Sequence, residues 1–255
     1  MLFQDNSDES MFKSNLLPLF EGFLGFLKQI LITRWRSLLT LLIGVYLPLQ
    51  IFEELAVVIA KNEGSFPWDE PIMLVIHQTA QPQLDIFAAT FTQLGIYWGV
   101  APIATIIGLI LLRQQQWRSL AYLVTTLLGS TLINRTAKVL LHRVRPHLWE
   151  SFYPPAPDYA FPSGHAMSSM TLVAALVILT WGSRWCWTVL IFGSLFVLGI
   201  GWTRLYLGVH YPSDILAGWL VAVAWVIGVS LLIQPHLPKP ISVTNEETLN
   251  TTANI

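Results

Sequence analysis

A chain of 255 residues in which 54% are hydrophobic and only 11% charged lacks the polar shell of a soluble globular domain, where roughly 25% of residues are charged. Its mean hydropathy of +0.57 and its 11 Trp point to a bilayer, because Trp gathers at membrane–water interfaces. The net charge of −1 excludes the basic field of a nucleic-acid binder, and the single Cys186 excludes an internal disulfide.

Residues 1–15 are polar, and the opening MLFQDNSDES lacks the basic start and apolar core of a signal peptide. Insertion is therefore expected to come from the spans themselves. From Leu16 to Leu31 the apolar residues recur at helical spacing, with Glu21, Lys28 and Gln29 opposite. That pattern fits an amphipathic helix in the cytoplasmic interface or, equally, a helix packed on a bundle. Residues 1–36 are accordingly set apart from a membrane domain over 37–233.

The first span is expected from about Leu38 to Phe52, reaching Ala60 if Glu53 and Glu54 sit near the surface. An acidic, Pro-containing segment follows to about Gln83. The apolar stretch 86–112 is broken by Gly95, Gly99 and Pro102, and reads as a short helix leading into a second span over roughly 97–112. Further spans fall at about 118–141, 164–182, 186–203 and 214–233, each near the ~20 residues that cross a bilayer as helix. The expected fold class is all-α: a polytopic membrane protein with six transmembrane helices in one bundle. Residues 234–255 read as a disordered cytoplasmic tail.

Orientation follows from Lys and Arg. With the N-terminus inside, the cytoplasmic segments carry Lys13, Lys28, Arg34, Arg36, Arg113, Arg118, Arg184 and Lys239. The outer segments carry Lys61, Arg135, Lys138, Arg143, Arg145 and Arg204. The inward bias grows once Lys138, Arg145 and Arg204 are set aside as chemistry. Both termini are thus expected in the cytoplasm.

Three segments place charge at span ends on the same expected side, where charge is expensive and usually functional. In Lys138-Val-Leu-Leu-His-Arg-Val-Arg145-Pro146 the two cations lie about two helical turns apart, so one helix face would carry both as an anion clamp. Arg supplies a planar fork matched to phosphate oxygens, and Pro146 disfavours helix at Arg145. Taken alone, the segment reads equally as a basic cluster contacting lipid headgroups. Phe161-Pro-Ser163-Gly164-His165 opens a span with a Ser suited to an N-cap, free N–H groups at the positive end of the helix dipole, and a Gly that lets an anion approach. On its own it is an ordinary capped helix with an interfacial His. In Thr203-Arg204…His210-Tyr-Pro-Ser213-Asp214 the His and Asp are one helical turn apart, with Ser213 placed as an N-cap. A carboxylate on one ring nitrogen fixes the tautomer and frees the other nitrogen for attack.

In order and spacing these segments resemble the signature of the type 2 phosphatidic acid phosphatase (PAP2) family. That signature is Lys, six residues, Arg-Pro; then Pro-Ser-Gly-His; then Ser-Arg, five residues, His, three residues, Asp. Thr203 departs from the usual Ser but keeps the hydroxyl, and His142 and Val144 replace a Gly and Pro often seen beside the first motif, where Arg143 fits. The likeness runs over about residues 85–230.

The resemblance implies that Lys138, Arg145 and Arg204 hold phosphate oxygens, helped by Ser163 and the N–H of Gly164. It implies that His210 attacks phosphorus to give a phosphohistidine, that Asp214 orients His210, and that His165 protonates the leaving alkoxide and later assists water. The electrostatics agree, because phosphoryl transfer needs positioning and cancellation of equatorial charge. No carboxylate cluster for Mg²⁺ and no His/Cys spacing for zinc is seen, so no metal or cofactor is expected. His142 and His147 read as interfacial packing, and His77 as a residue of the acidic outer segment.

The expected function is a metal-independent phosphoric monoester or diphosphate hydrolase of the membrane, acting on a lipid phosphate such as phosphatidic acid, phosphatidylglycerol phosphate or a polyprenyl diphosphate. Its site is expected on the outer face of a bacterial-type plasma membrane. A membrane phosphatase for a soluble ester such as a sugar phosphate is the second reading, and a non-catalytic lipid-binding protein the third. The intact His165, His210 and Asp214 set speaks against that third reading.

Overall fold

In a computed structural model, residues 6–62, 64–96, 98–150, 153 and 157–236 are described, with side chains from Phe20 onward. The tail expected over 234–255 lies outside the described residues from 237 on. The described chain is helical. It comprises α1 (Asn6–Leu41), which passes through a π-helical turn (Leu42–Tyr46) into α2 (Leu47–Asn62), then α3 (Asp69–His77) and α4 (Pro82–Phe91). A 3-10 turn (Thr92–Gly95) precedes α5 (Val100–Arg113), followed by α6 (Trp117–Leu141), α7 (Gly164–Leu179), α8 (Trp185–Tyr206) and α9 (Pro212–Ile233).

Among the described residues four stretches are long and apolar enough to cross a membrane: Phe20–Lys61, Pro82–Arg113, Trp185–Tyr206 and Pro212–Ile233. Gly164–Leu179 is apolar but shorter. The chain is therefore an all-α integral membrane protein with several apolar helices. Exposed Ile106 and Leu109 on α5, Leu128 and Leu132 on α6, and Ile191, Phe192 and Leu195 on α8 form a surface suited to lipid and not to water. Trp117, Trp181 and Trp185 are exposed together at one end of the bundle, as expected of an interfacial belt.

Helix α1 runs through residue 36 without a break, and the acidic segment before Gln83 contains α3, which buries Asp69 and Met73. The break at Gly95–Gly99 before the second span stands where the glycines put it.

Helix α9 is the centre, packing against α7, α2 and α6. Away from the functional end, Leu111, Tyr122, Leu123, Ala175, Val226 and Val229 form one apolar cluster. Polar side chains pin the helices as well: Ser130 and Thr171 share a hydrogen bond of 2.8 Å between α6 and α7, and the Trp225 indole N–H donates to Thr126 O at 3.0 Å. Such bonds between helices hold bundles together where lipid supplies no hydrophobic drive. Since α6, α7, α8 and α9 alternate in direction, the end of α6, the start of α7, the end of α8 and the start of α9 meet on one side.

Candidate active site

A cavity of about 370 Å³ opens at that meeting point, lined by Lys138, Arg145, Gly164, His165, Arg204 and His210 together with Gln93, Asn134, Arg135, Tyr153 and Asp158. Six of the eight expected residues thus face one space. Ser163 and Asp214 are buried behind it.

His210 sits in the turn between α8 and α9, which Gly208 makes possible with a φ of +70° that other residues rarely adopt. Its Nδ1 faces Asp214 Oδ2 at 3.3 Å and its Nε2 faces Arg145 Nη1 at 3.0 Å. A guanidinium only donates, so Nε2 accepts and the proton is on Nδ1, directed at the carboxylate. Burial, then the neighbouring Arg145 and Arg204 charges, hold the His210 ring well below the usual imidazole pKa. The imidazole is therefore neutral, and its one Nε2 lone pair accepts from Arg145 at the wall of the cavity.

Asp214 is fixed on all sides. Its Oδ2 also accepts from the Tyr211 N–H at 2.9 Å, and its Oδ1 from Arg143 Nη1 at 2.5 Å. Arg143 in turn donates to Ser213 Oγ at 2.7 Å, Asp69 Oδ2 at 2.8 Å and Gly64 O at 3.2 Å. Asp69 accepts the Ser213 N–H at 2.9 Å and its hydroxyl at 2.6 Å. Ser213 is therefore not the cap of α9: Pro212 takes the first helical position, Tyr211 the cap, and Ser213 joins the buried acid–base network. Nor does Ser163 cap α7 with its side chain. That hydroxyl is buried without a partner, while its backbone N–H donates to Asp214 O at 3.0 Å.

The clamp is built differently from the one-face helix that the spacing suggests. Helix α6 ends at Leu141, where His142 turns left-handed (φ 47°), so Arg145 stands beyond the helix and reaches Lys138 through a loop. This left-handed position explains why a Gly suits it. Lys138 Nζ donates to Asp158 Oδ2 at 2.5 Å and to Tyr159 O at 2.8 Å. Arg145 pairs with Asp158 Oδ1 and donates from Nε to Asp158 O at 2.9 Å. Arg204 donates to Thr92 Oγ1 at 3.0 Å and lies over the Tyr153 ring at 5.5 Å. The N–H groups of Gly164 and His165 precede the first helical donor of α7, the Met167 N–H that bonds Ser163 O, and lie at the positive end of its dipole. Edge contact of His142 with Tyr159, and stacking of His77 on Trp149, give those histidines packing roles.

Three cations, a helix start and a neutral imidazole thus gather at one end of a bundle of apolar helices, an arrangement whose charge suits an anion such as a phosphate. The superfamily pattern of PAP2 matches residues 119–237, a range that holds all eight expected site residues. A lipid A 4'-phosphatase of Bacteroides thetaiotaomicron is 31% identical over 170 residues, covering 60% of this chain and 71% of that one. The chain belongs to the PAP2 superfamily, a membrane phosphatase by family. It is also 29% identical over 120 residues to an undecaprenyl-diphosphatase of Sulfolobus acidocaldarius, spanning 46% of this chain and 55% of that protein. The crystal structure of a PAP2-type phosphatidylglycerolphosphate phosphatase from Bacillus subtilis shares the fold, with a TM-score of 0.67 at 23% identity over 77% of this chain and 99% of that one.

Proposed function

We propose that the protein hydrolyses a lipid phosphate or diphosphate through a phosphohistidine on His210, with no metal. The carrying observation is His210 itself: Nδ1 directed at Asp214, and Nε2 at the wall of a cavity of three cations, accepting from Arg145, which an entering phosphate draws onto its own oxygens. Lys138, Arg145 and Arg204 cancel charge on the phosphoryl oxygens, and the α7 start adds backbone donors. Nε2 attacks phosphorus as the bond to the leaving oxygen breaks, and His165, protonated as the phosphate enters and offsets the cations, gives that oxygen its proton. His165 then takes a proton from the water that cleaves the N–P bond, releasing inorganic phosphate. Among the described residues no group of three or more His, Cys, Asp or Glu stands where it could hold a metal ion, and the cations supply the charge.

The lipid reading is supported by the exposed apolar helices that carry the site and by relatives named for lipid-linked phosphates. Phosphatidic acid, phosphatidylglycerol phosphate and a polyprenyl diphosphate are the candidate substrates. In this reading the continuous α1–α2 helix, α5, α6, α7, α8 and α9 make six spans. Residues 37–233 then form the catalytic domain, both termini are cytoplasmic and the site faces outward.

Purified protein assayed for phosphate release on a panel of lipid phosphates is expected to turn over in excess chelator and to be inhibited by vanadate. His210→Ala should lose at least about 10³-fold in kcat. Unchanged turnover in that variant removes His210 from the mechanism. Equal rates on short water-soluble esters sink the lipid reading.

A further inference from the structure

The steps above leave Asp158 without a task, yet its carboxylate bridges Lys138 and Arg145, two of the three phosphate cations. Its placement differs in kind from the other acids of the site. Asp69 and Asp214 are fully enclosed around Arg143, whereas the Asp158 side chain is 50% exposed on the loop that leads into α7. Enclosed pairs are fixed, because breaking them strands a charge. The Asp158 pairs meet solvent from the acid's side only, since Lys138 and Arg145 are 9% and 10% exposed, so the carboxylate can leave toward water while the cations stay on the cavity wall. Burial pushes the Asp158 carboxyl up, but hydrogen bonds and charge from Lys138 and Arg145 outweigh it and hold the group below the usual carboxylate range. The group is an anion wherever the enzyme works.

In the empty enzyme, then, a monoanion with two oxygens already sits on the clamp. A phosphodiester is also a monoanion with two free oxygens, so replacing Asp158 by a diester gains no charge. A terminal phosphate carries about −1.5 to −2 with three free oxygens, so it outbids the carboxylate and still has charge for Arg204. A membrane presents this site with phosphodiester headgroups in vast excess over terminal phosphates. Specificity is a difference of affinities and often rests on an element that disfavours the wrong ligand.

Building on the lipid-phosphate reading, we propose that Asp158 is a specificity-determining residue: a displaceable carboxylate that yields Lys138 and Arg145 to terminal phosphates and keeps them from phosphodiester lipids. It touches no reacting atom in this role.

The test uses the full chain in mixed detergent micelles, with the lipid phosphate turned over best as substrate, phosphatidylglycerol as diester competitor and vanadate as phosphate probe. Asp158→Asn is expected to bind vanadate about 3- to 10-fold more tightly and to be inhibited by phosphatidylglycerol at a correspondingly lower mole fraction. Asp158→Glu, which keeps the charge, should stay near wild type in both. Weaker vanadate binding in Asp158→Asn would show that Asp158 merely positions the cations, and unchanged phosphatidylglycerol inhibition would show that it filters nothing; either overturns the proposal. Wild-type protein that releases phosphate from no lipid overturns the parent reading instead. Turnover of a lipid phosphate with no tightening in Asp158→Asn overturns the filter alone.

Discussion

His210 depends on a chain of charges that begins far from it in sequence. Asp214 must be ionised and aimed, and in a dry setting a carboxylate stays ionised only if it is paired and hydrogen-bonded. Arg143 does this from one side, and Asp69 holds Arg143 in place while binding both the N–H and the hydroxyl of Ser213. Removing the Asp69 charge leaves Asp214 as the one carboxylate still paired with Arg143, beside the neutral acceptors Ser213 Oγ and Gly64 O, which draws that carboxylate toward the guanidinium and away from His210 Nδ1. Asp69→Asn is therefore expected to lower kcat by roughly tenfold, about 1.4 kcal/mol of barrier, with KM changed by less than about threefold because no phosphate contact is touched. Asp69→Ala should also destabilise by about 3–5 kcal/mol through the uncompensated buried charge. Steady-state kinetics beside thermal unfolding in detergent separates the two effects. A rise in KM with kcat intact would place Asp69 in binding and not in alignment. Thr203 shows the opposite case: its hydroxyl donates to Ile200 O at 2.7 Å within α8, a local bond that Ser or Thr makes equally well.

At the level of helices, the site exists because α7 and α9 start side by side. Ser163 N–H bonds the Asp214 carbonyl, and Gly218 lets the two helices approach: a Cβ there would stand 2.9 Å from Ser163 O and 3.2 Å from Met167 N. Those are backbone atoms, so Gly218→Ala must push the start of α7 away and carry Gly164 and His165 with it. Displacements near 1 Å cost roughly 10²-fold in rate, while overpacking costs about 1–3 kcal/mol. Gly218→Ala is expected to lose about ten- to a hundredfold in kcat/KM while remaining folded. Gly228→Ala, on the same helix with open space around it, should match wild type. Equal behaviour of the two variants would remove α7–α9 spacing from the account. The motif residues were legible in sequence because each motif is local: Lys138, Arg145, His165, Arg204, His210 and Asp214 stand in three short segments at span ends, and the resemblance to a known signature supplied the roles that each segment alone left open. The capping role of Ser213 was lost to a tertiary partner, Asp69, which reaches it across 144 positions, whereas Ser163 holds the cap position of α7 without a side-chain bond. Asp69 and Asp158 carry no spacing signal at all; only the fold brings them to Arg143 and Lys138. The single-face clamp failed at His142, whose left-handed turn no periodicity reveals.

For the whole molecule, sidedness decides which substrate pool the site meets. The cations Arg113, Arg118 and Arg184 and the exposed Trp117, Trp181 and Trp185 collect at the end opposite the cavity, the distribution expected of a cytoplasmic face. The clamp cations sit at the other end, where Asp158 pairs Lys138 and Arg145 while Asp69 and Asp214 pair Arg143 beside them. Val144 projects from the site end and is exposed, and Gln114 is exposed in the turn between α5 and α6 at the far end. In a Cys186→Ser background, which removes the one native thiol, Val144→Cys should react with a membrane-impermeant maleimide added to intact cells. Gln114→Cys should react only after the membrane is opened. The reverse pattern would turn the molecule over. It would put His210 at the inner leaflet, so that the substrate had to be a lipid phosphate made on the same side as the site and not one carried across to it.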